Sequence, residues 1–103
     1  MNIVAVTACP SGVAHTYMSA EALEKEAKKR GHEVKVETQG SIGVENELTK
    51  EEVERADVVI LTRDMAIKNA DRFQDKKIVK VNISDLVAKT GVILNKIEEA
   101  LGK

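Results

Sequence analysis

Ile3-Val4-Ala5-Val6-Thr7 is an unbroken run of small apolar and β-branched residues, followed at once by Ala8-Cys9-Pro10-Ser11-Gly12. A run without polar alternation fits a strand buried on both faces of a sheet. The residues after the loop change period. Val13, Thr16, Ala20, Leu23 and Ala27 recur at spacings of three and four, one face of a helix. Glu21–Lys25 and Glu24–Lys28 are i,i+4 pairs in the favourable order, and Gly31 supplies a stop. A buried strand, a tight loop and an amphipathic helix are the opening of a βα unit, the building block of a parallel sheet.

The rest of the chain continues the alternation. Val34, Val36 and Thr38 fall on one side of a strand and Glu33, Lys35 and Glu37 on the other, so Glu33 to Thr38 is expected at an edge with one wet face. Gln39 to Glu47 is expected to be a loop. Thr49 and Glu52 form a capping box, with Leu48 and Val53 placed as a hydrophobic staple for a helix to about Arg55. Val58 to Leu61 is a second continuous apolar run and a second central strand. Asp64 is placed to cap a short helix over Met65 to Asp71. Ile78, Val79 and Val81 make a fourth, edge-like strand. Leu86, Thr90, Ile93, Ile97 and Leu101 trace a last helical face, with a break or start near Gly91.

The expectation is one α/β domain over residues 1–103. It has a Rossmann-like, four-stranded parallel sheet in the order 2-1-3-4, with helices on both faces. That order reverses between the first and third strands. Ligands settle beyond the carboxyl ends of strands at such a switch point, which is where Cys9 falls.

Composition narrows the function classes. The 16 basic and 17 acidic residues leave a net charge of −1, so no polyanion footprint is written into the chain. Lys28, Lys29 and Arg30 suit the end of the helix they sit in. Aromatics amount to 2%, too few for a base-stacking surface, and the core must be aliphatic. The single cysteine excludes an internal disulfide and a cysteine-rich metal site, and points to a reducing compartment. No signal peptide and no apolar run of bilayer length is expected.

Cys9 is the candidate nucleophile. A thiol acts as its thiolate, and the N–H groups of a helix start favour both a thiolate and a phosphate. Ser11, Gly12, Val13, Ala14 and His15 can turn backbone N–H groups inward, and Ser11 and Thr16 add hydroxyls. Pro10 stiffens the turn and Gly12 permits close backbone approach. The alternative for Cys9 is a buried structural thiol. Redox exchange lacks a second cysteine, and neither phosphate-binding glycine motif occurs. A phosphatase of the C-x5-R type would need an arginine where His15 stands, and an acid beside a proline that is absent. Three readings stay open on the residues: a phosphoryl carrier, a small phosphatase, and an anion-binding module without catalysis. Further crevice candidates are Gln39, Gly40 and Ser41 after the second strand and Asp64 after the third, where Asp64 is also a good helix cap. His32 reads as structural. No metal or other cofactor is called for.

The segment Ala8-Cys9-Pro10-Ser11-Gly12-Val13-Ala14-His15-Thr16-Tyr17-Met18 closely resembles the active loop of the IIB domain of fructose-type phosphotransferase systems. Val36-Glu37-Thr38-Gln39-Gly40-Ser41, the stretch Ala56-Asp57 with Val58 to Leu61 and Asp64, and the pair Arg72-Phe73 resemble further parts of that family. The likeness covers roughly residues 1 to 83. Ser11 stands where the family commonly has Thr, so a hydroxyl is kept. The resemblance implies that Cys9 accepts a phosphoryl group from a phosphohistidine on a IIA domain. It then passes the group to fructose or a related sugar held by a membrane IIC component. The loop Pro10 to Thr16 would bind the group, with Gln39 and Gly40 nearby. It also implies a cytoplasmic chain, peripheral to the inner membrane through IIC.

Overall fold

The computed structural model describes residues 1–8, 13–40, 43–64 and 66–102, and for residues 13–15 the backbone alone. The chain runs β1 (Asn2–Ala8), α1 (Val13–Lys29), β2 (Glu33–Gly40), β3 (Gly43–Glu45), α2 (Lys50–Arg55) and β4 (Val58–Thr62). A 3-10 turn (Ala70–Phe73), β5 (Ile78–Val81), α3 (Ile83–Ala88) and α4 (Thr90–Leu101) follow.

The sheet has five strands and is mixed, which corrects the expectation of four parallel ones. Its order is β3-β2-β1-β4-β5. The four strands expected from the sequence are mutually parallel and stand in the expected succession, β2-β1-β4-β5. The addition is β3, which runs antiparallel to the end of β2 with Thr38 opposite Glu45 and Gly40 opposite Gly43. All three residues of β3 are exposed, so no hydrophobic pattern announces it. β2 also continues past Thr38 to Gly40, into what was expected to be loop.

Alternate residues of the central strands feed two cores. Ile3, Ala5, Val36, Val58 and Ile60 pack with Ala20, Leu23 and Ala27 of α1, Leu86 of α3, and Leu94 and Ile97 of α4. Val4, Val6, Val59 and Leu61 face the other way, onto Leu48, Val53, Ala56 and Phe73. β1 and β4 are buried along their length from Ile3 to Ala8 and from Val58 to Thr62, which is why both read as continuous apolar runs.

Helix ends follow local rules. α1 closes with the His32 N–H on the Ala27 carbonyl and the Gly31 N–H on the Lys28 carbonyl, with Gly31 at φ +80°. This double bond pattern needs the left-handed conformation that glycine adopts without a steric penalty. The capping box of α2 forms in full: Thr49 Oγ1 accepts from the Glu52 N–H at 3.1 Å, and Glu52 Oε1 accepts from the Thr49 N–H at 2.8 Å. Leu48 and Val53 are buried in one cluster, as the staple requires. The last helical stretch is split in two, with the break at Lys89 rather than Gly91.

Asp64 does not cap a helix over residues 65–71. The regular turn in that region begins at Ala70 and is 3-10, behind Asn69. The Asp64 carboxylate instead accepts from the Ile83 N–H at 2.7 Å, at the first turn of α3. An Asp satisfies whichever unpaired helix N–H the tertiary fold brings to it, and here that donor comes from 19 residues downstream.

Candidate active site

β1, β2 and β4 end side by side at Ala8, Gly40 and Thr62. The chain leaves β1 toward β2 through α1, on one side of the sheet, and reaches β4 through α2, on the other. The switch point therefore lies between β1 and β4, and the residue that follows Ala8 is Cys9. Cys9, Pro10, Ser11, Gly12, Ser41 and Met65 lie outside the described residues, as do the side chains of Val13, Ala14 and His15.

Ala8 pairs with Gln39 across β2. On its other flank the Ala8 N–H donates to Thr62 Oγ1 at 2.9 Å, and that hydroxyl donates to the Ala8 carbonyl at 3.2 Å. Thr7 Oγ1 donates to the Thr16 carbonyl at 3.3 Å, linking the end of β1 to the first turn of α1. Ser19 Oγ donates to the same carbonyl at 2.8 Å. Thr16 itself is 1% exposed, and its hydroxyl has no partner among the described residues. Beside Thr62 a cavity of about 190 Å³ opens, with Arg63 and Lys80 in its wall, so two cations stand near the carboxyl ends of β4 and β5.

Gln39 is at the crevice with its amide already committed. Nε2 donates to the Lys68 carbonyl at 3.1 Å and to Glu37 Oε2 at 2.8 Å, while Oε1 accepts from the Lys68 N–H at 2.9 Å. It thus clamps the segment after β4 to the end of β2. Gly40 is the last rung of β2 and pairs with Gly43 of β3. Asp64, exposed and bound to Ile83, is drawn toward α3.

Glu37 is the largest departure from the expected pattern. Alternation places it on the wet side of β2, yet it is 1% exposed. Its register partner is Val6, so it faces the second core at the rim, where Arg72 reaches it at 2.7 Å. The Leu48 N–H donates to Glu37 Oε1 at 2.9 Å. Burial pushes the Glu37 carboxyl up. Hydrogen bonds from Arg72, Gln39 and the Leu48 N–H, with the Arg72 charge, outweigh that and hold it below its ordinary value of 4.5. The Arg72 guanidinium also stacks 4.7 Å from the centre of the Phe73 ring.

At the first turn of α1, the Tyr17 hydroxyl donates to Glu45 of β3. That contact ties the hairpin beyond Gly40 to the helix that starts the loop's far side. His32 lies at the opposite end of the sheet, bonded to Glu98 at 2.7 Å and beside the Met1 nitrogen at 3.2 Å, in a structural setting. Among the described residues no His, Cys, Asp and Glu cluster could hold a metal ion, and no helix is long and apolar enough to cross a membrane. Sequence reading missed Thr62, Glu37 and the Tyr17–Glu45 contact. Each depends on a partner at least 28 residues away.

Comparison with known proteins fits this arrangement. The family model described as "PTS system, Lactose/Cellobiose specific IIB subunit" matches residues 4–101. The chain is 65% identical over 102 residues to the "PTS system fructose-like EIIB component 2" of Escherichia coli (strain K12), covering 99% of this chain and 96% of that protein. It is 52% identical over 89 residues to the "PTS system fructose-specific EIIB'BC component" of Vibrio cholerae, 86% of this chain but 15% of that longer protein. A crystal structure of a domain from the fructose-specific IIABC component of Borrelia burgdorferi superposes with a TM-score of 0.86 at 52% identity. That match covers 91% of this chain and 89% of the domain. The match along nearly the whole chain places it in the IIB family of sugar phosphotransferase systems, as a fructose-type member and a phosphotransferase of that cascade.

Proposed function

We propose that Cys9 is the phosphoryl carrier: it takes the group from a phosphohistidine on a IIA domain and hands it to fructose, or a related sugar, held by a membrane IIC component. The observation that carries this reading is the position of Ala8. It ends β1 at the switch point, held by Gln39 on one side and Thr62 on the other, with Cys9 as the next residue. The helix that resumes at Val13 turns its first N–H groups back toward that loop.

The chemistry asks little of other side chains. The Cys9 thiolate attacks phosphorus in line, the S–P bond forms and the N–P bond breaks. The electron pair returns to the imidazole nitrogen of the donor. In the second step a sugar hydroxyl attacks the phosphocysteine phosphorus, the O–P bond forms and the S–P bond breaks, the hydroxyl proton passes to water or a base beside the bound sugar, and the sulfur leaves as thiolate. Backbone N–H groups and the hydroxyls of Ser11 and Thr16 offset charge on the transferring oxygens. Positioning and electrostatics of this kind account for most catalysis of phosphoryl transfer. No metal or nucleotide enters. The Vibrio cholerae relative, whose name joins IIB to IIC in one protein, supports a membrane IIC partner. On this reading residues 1–103 act as one IIB domain on the cytoplasmic side of the inner membrane.

The test is sugar phosphorylation in membrane vesicles carrying a fructose-type IIC, driven by phosphoenolpyruvate through the general proteins and IIA. Added wild-type chain should restore fructose phosphate formation and Cys9→Ser should not. Equal restoration by Cys9→Ser would sink the proposal. So would steady release of phosphate from an aryl phosphate without sugar transfer, which would mark a phosphatase.

A further inference from the structure

Two buried threonine hydroxyls bracket the Cys9 loop. Thr62 is 2% exposed at the end of β4, and it bonds both backbone groups of Ala8, the residue before Cys9. The register between β1 and β4 stops two residues earlier, at Val6 opposite Leu61. Beyond that point Ala8 meets a side chain where a strand would have offered its backbone. Thr7 performs the matching task on the far side of the loop. It is fully buried and bonds the Thr16 carbonyl in the first turn of α1. Valine would fill nearly the same space and suit a strand as well, but it would leave the Ala8 backbone groups and the Thr16 carbonyl without these bonds.

We propose that Thr62 and Thr7 are positioning residues for phosphoryl transfer. They anchor Ala8 and the first turn of α1, the two described ends that flank residues 9–12, and the rate of transfer at Cys9 depends on that anchoring. Backbone N–H groups stabilise a transferring phosphoryl group only when aimed before the reaction begins. Displacements near an ångström are enough to lower a rate steeply. The inference rests on the reading of Cys9 as the acceptor.

The experiment uses the full chain as wild type, Thr62→Val, Thr62→Ser and Thr7→Val. Two quantities are read: the single-turnover rate of Cys9 phosphorylation by phosphorylated IIA, and the pH midpoint of iodoacetamide alkylation of Cys9. Circular dichroism and urea midpoints check folding. Thr62→Val should slow transfer by about tenfold to a hundredfold. Its alkylation midpoint should move to higher pH, because loosening Ala8 and the first turn of α1 weakens what the helix start contributes to a thiolate at Cys9. Thr62→Ser keeps the hydroxyl and should stay near wild type in both readouts. If Thr62→Val does not fold, Thr7→Val should show the same slowing and shift. A folded valine variant with wild-type rate and midpoint overturns the inference. A wild type that takes no phosphate on Cys9 overturns the carrier reading instead, and the two failures are told apart by that control.

Discussion

Arg72 closes on Glu37 at 2.7 Å across the rim of the second core, joining the 3-10 turn after β4 to the middle of β2. The carboxylate also takes hydrogen bonds from Gln39 and from the Leu48 N–H. One buried charge therefore holds three segments together beneath the crevice: β2, the 3-10 turn and the stretch leading into α2. Removing one member leaves the other uncompensated. Arg72→Met is expected to cost about 3 kcal/mol, read as a lower urea midpoint with an unchanged slope.

The same carboxyl makes stability depend on acid. Its pKa is lowered in the folded chain, from an ordinary value of 4.5. A depressed carboxyl contributes stability that is fully present above the unfolded value and is lost as pH falls through the folded one. Stability should be level in Glu37 terms above about pH 4.5 and decline below it. In Glu37→Gln the chain should be less stable at neutral pH, and the decline on the acid side should be shallower. Urea titrations at several pH values between neutrality and pH 3 check both.

Tyr17 is the one tyrosine in a chain without tryptophan, so its phenol can be titrated by absorbance without overlap. The hydrogen bond it donates to Glu45, with smaller contributions from burial and the carboxylate charge, raises its pKa above the ordinary 10.0. Glu45→Gln should bring the midpoint down toward that value. A midpoint unmoved by the substitution would mean that the contact between α1 and β3 does not persist in solution.

Phe73 is fully buried and is the only large ring in either core. Phe73→Ala should cost about 3–5 kcal/mol, the range for removing a buried aromatic side chain. Thr49→Ala, which removes the side-chain acceptor of the α2 cap, should cost about 1 kcal/mol. Thermal melts of the two variants place both losses on one scale.

Much of the fold was legible because it is set locally. Ile3 to Thr7 and Val58 to Leu61 are strands in central positions, and Thr49 with Glu52 marks a helix start. The parts that were not legible depend on distant partners. β3 is three exposed residues whose only recommendation is the neighbouring end of β2. Glu37 reads as wet because its alternation says so, and Arg72, which makes burial tolerable, lies 35 residues on. Asp64 carries a sound cap signal and caps the wrong helix for a local reading. At the site, the strand end at Ala8 was legible. Thr62 was not, because a hydroxyl at the end of an apolar run carries no sign of which backbone it will meet.

The most direct test of the account is the intact mass of the chain after incubation with phosphoenolpyruvate, the general phosphotransferase proteins and a fructose-type IIA, with Cys9→Ala alongside. The account predicts a single phosphate adduct on the wild type and none on the variant. An adduct on Cys9→Ala, or none on the wild type while IIA is demonstrably phosphorylated, would contradict it.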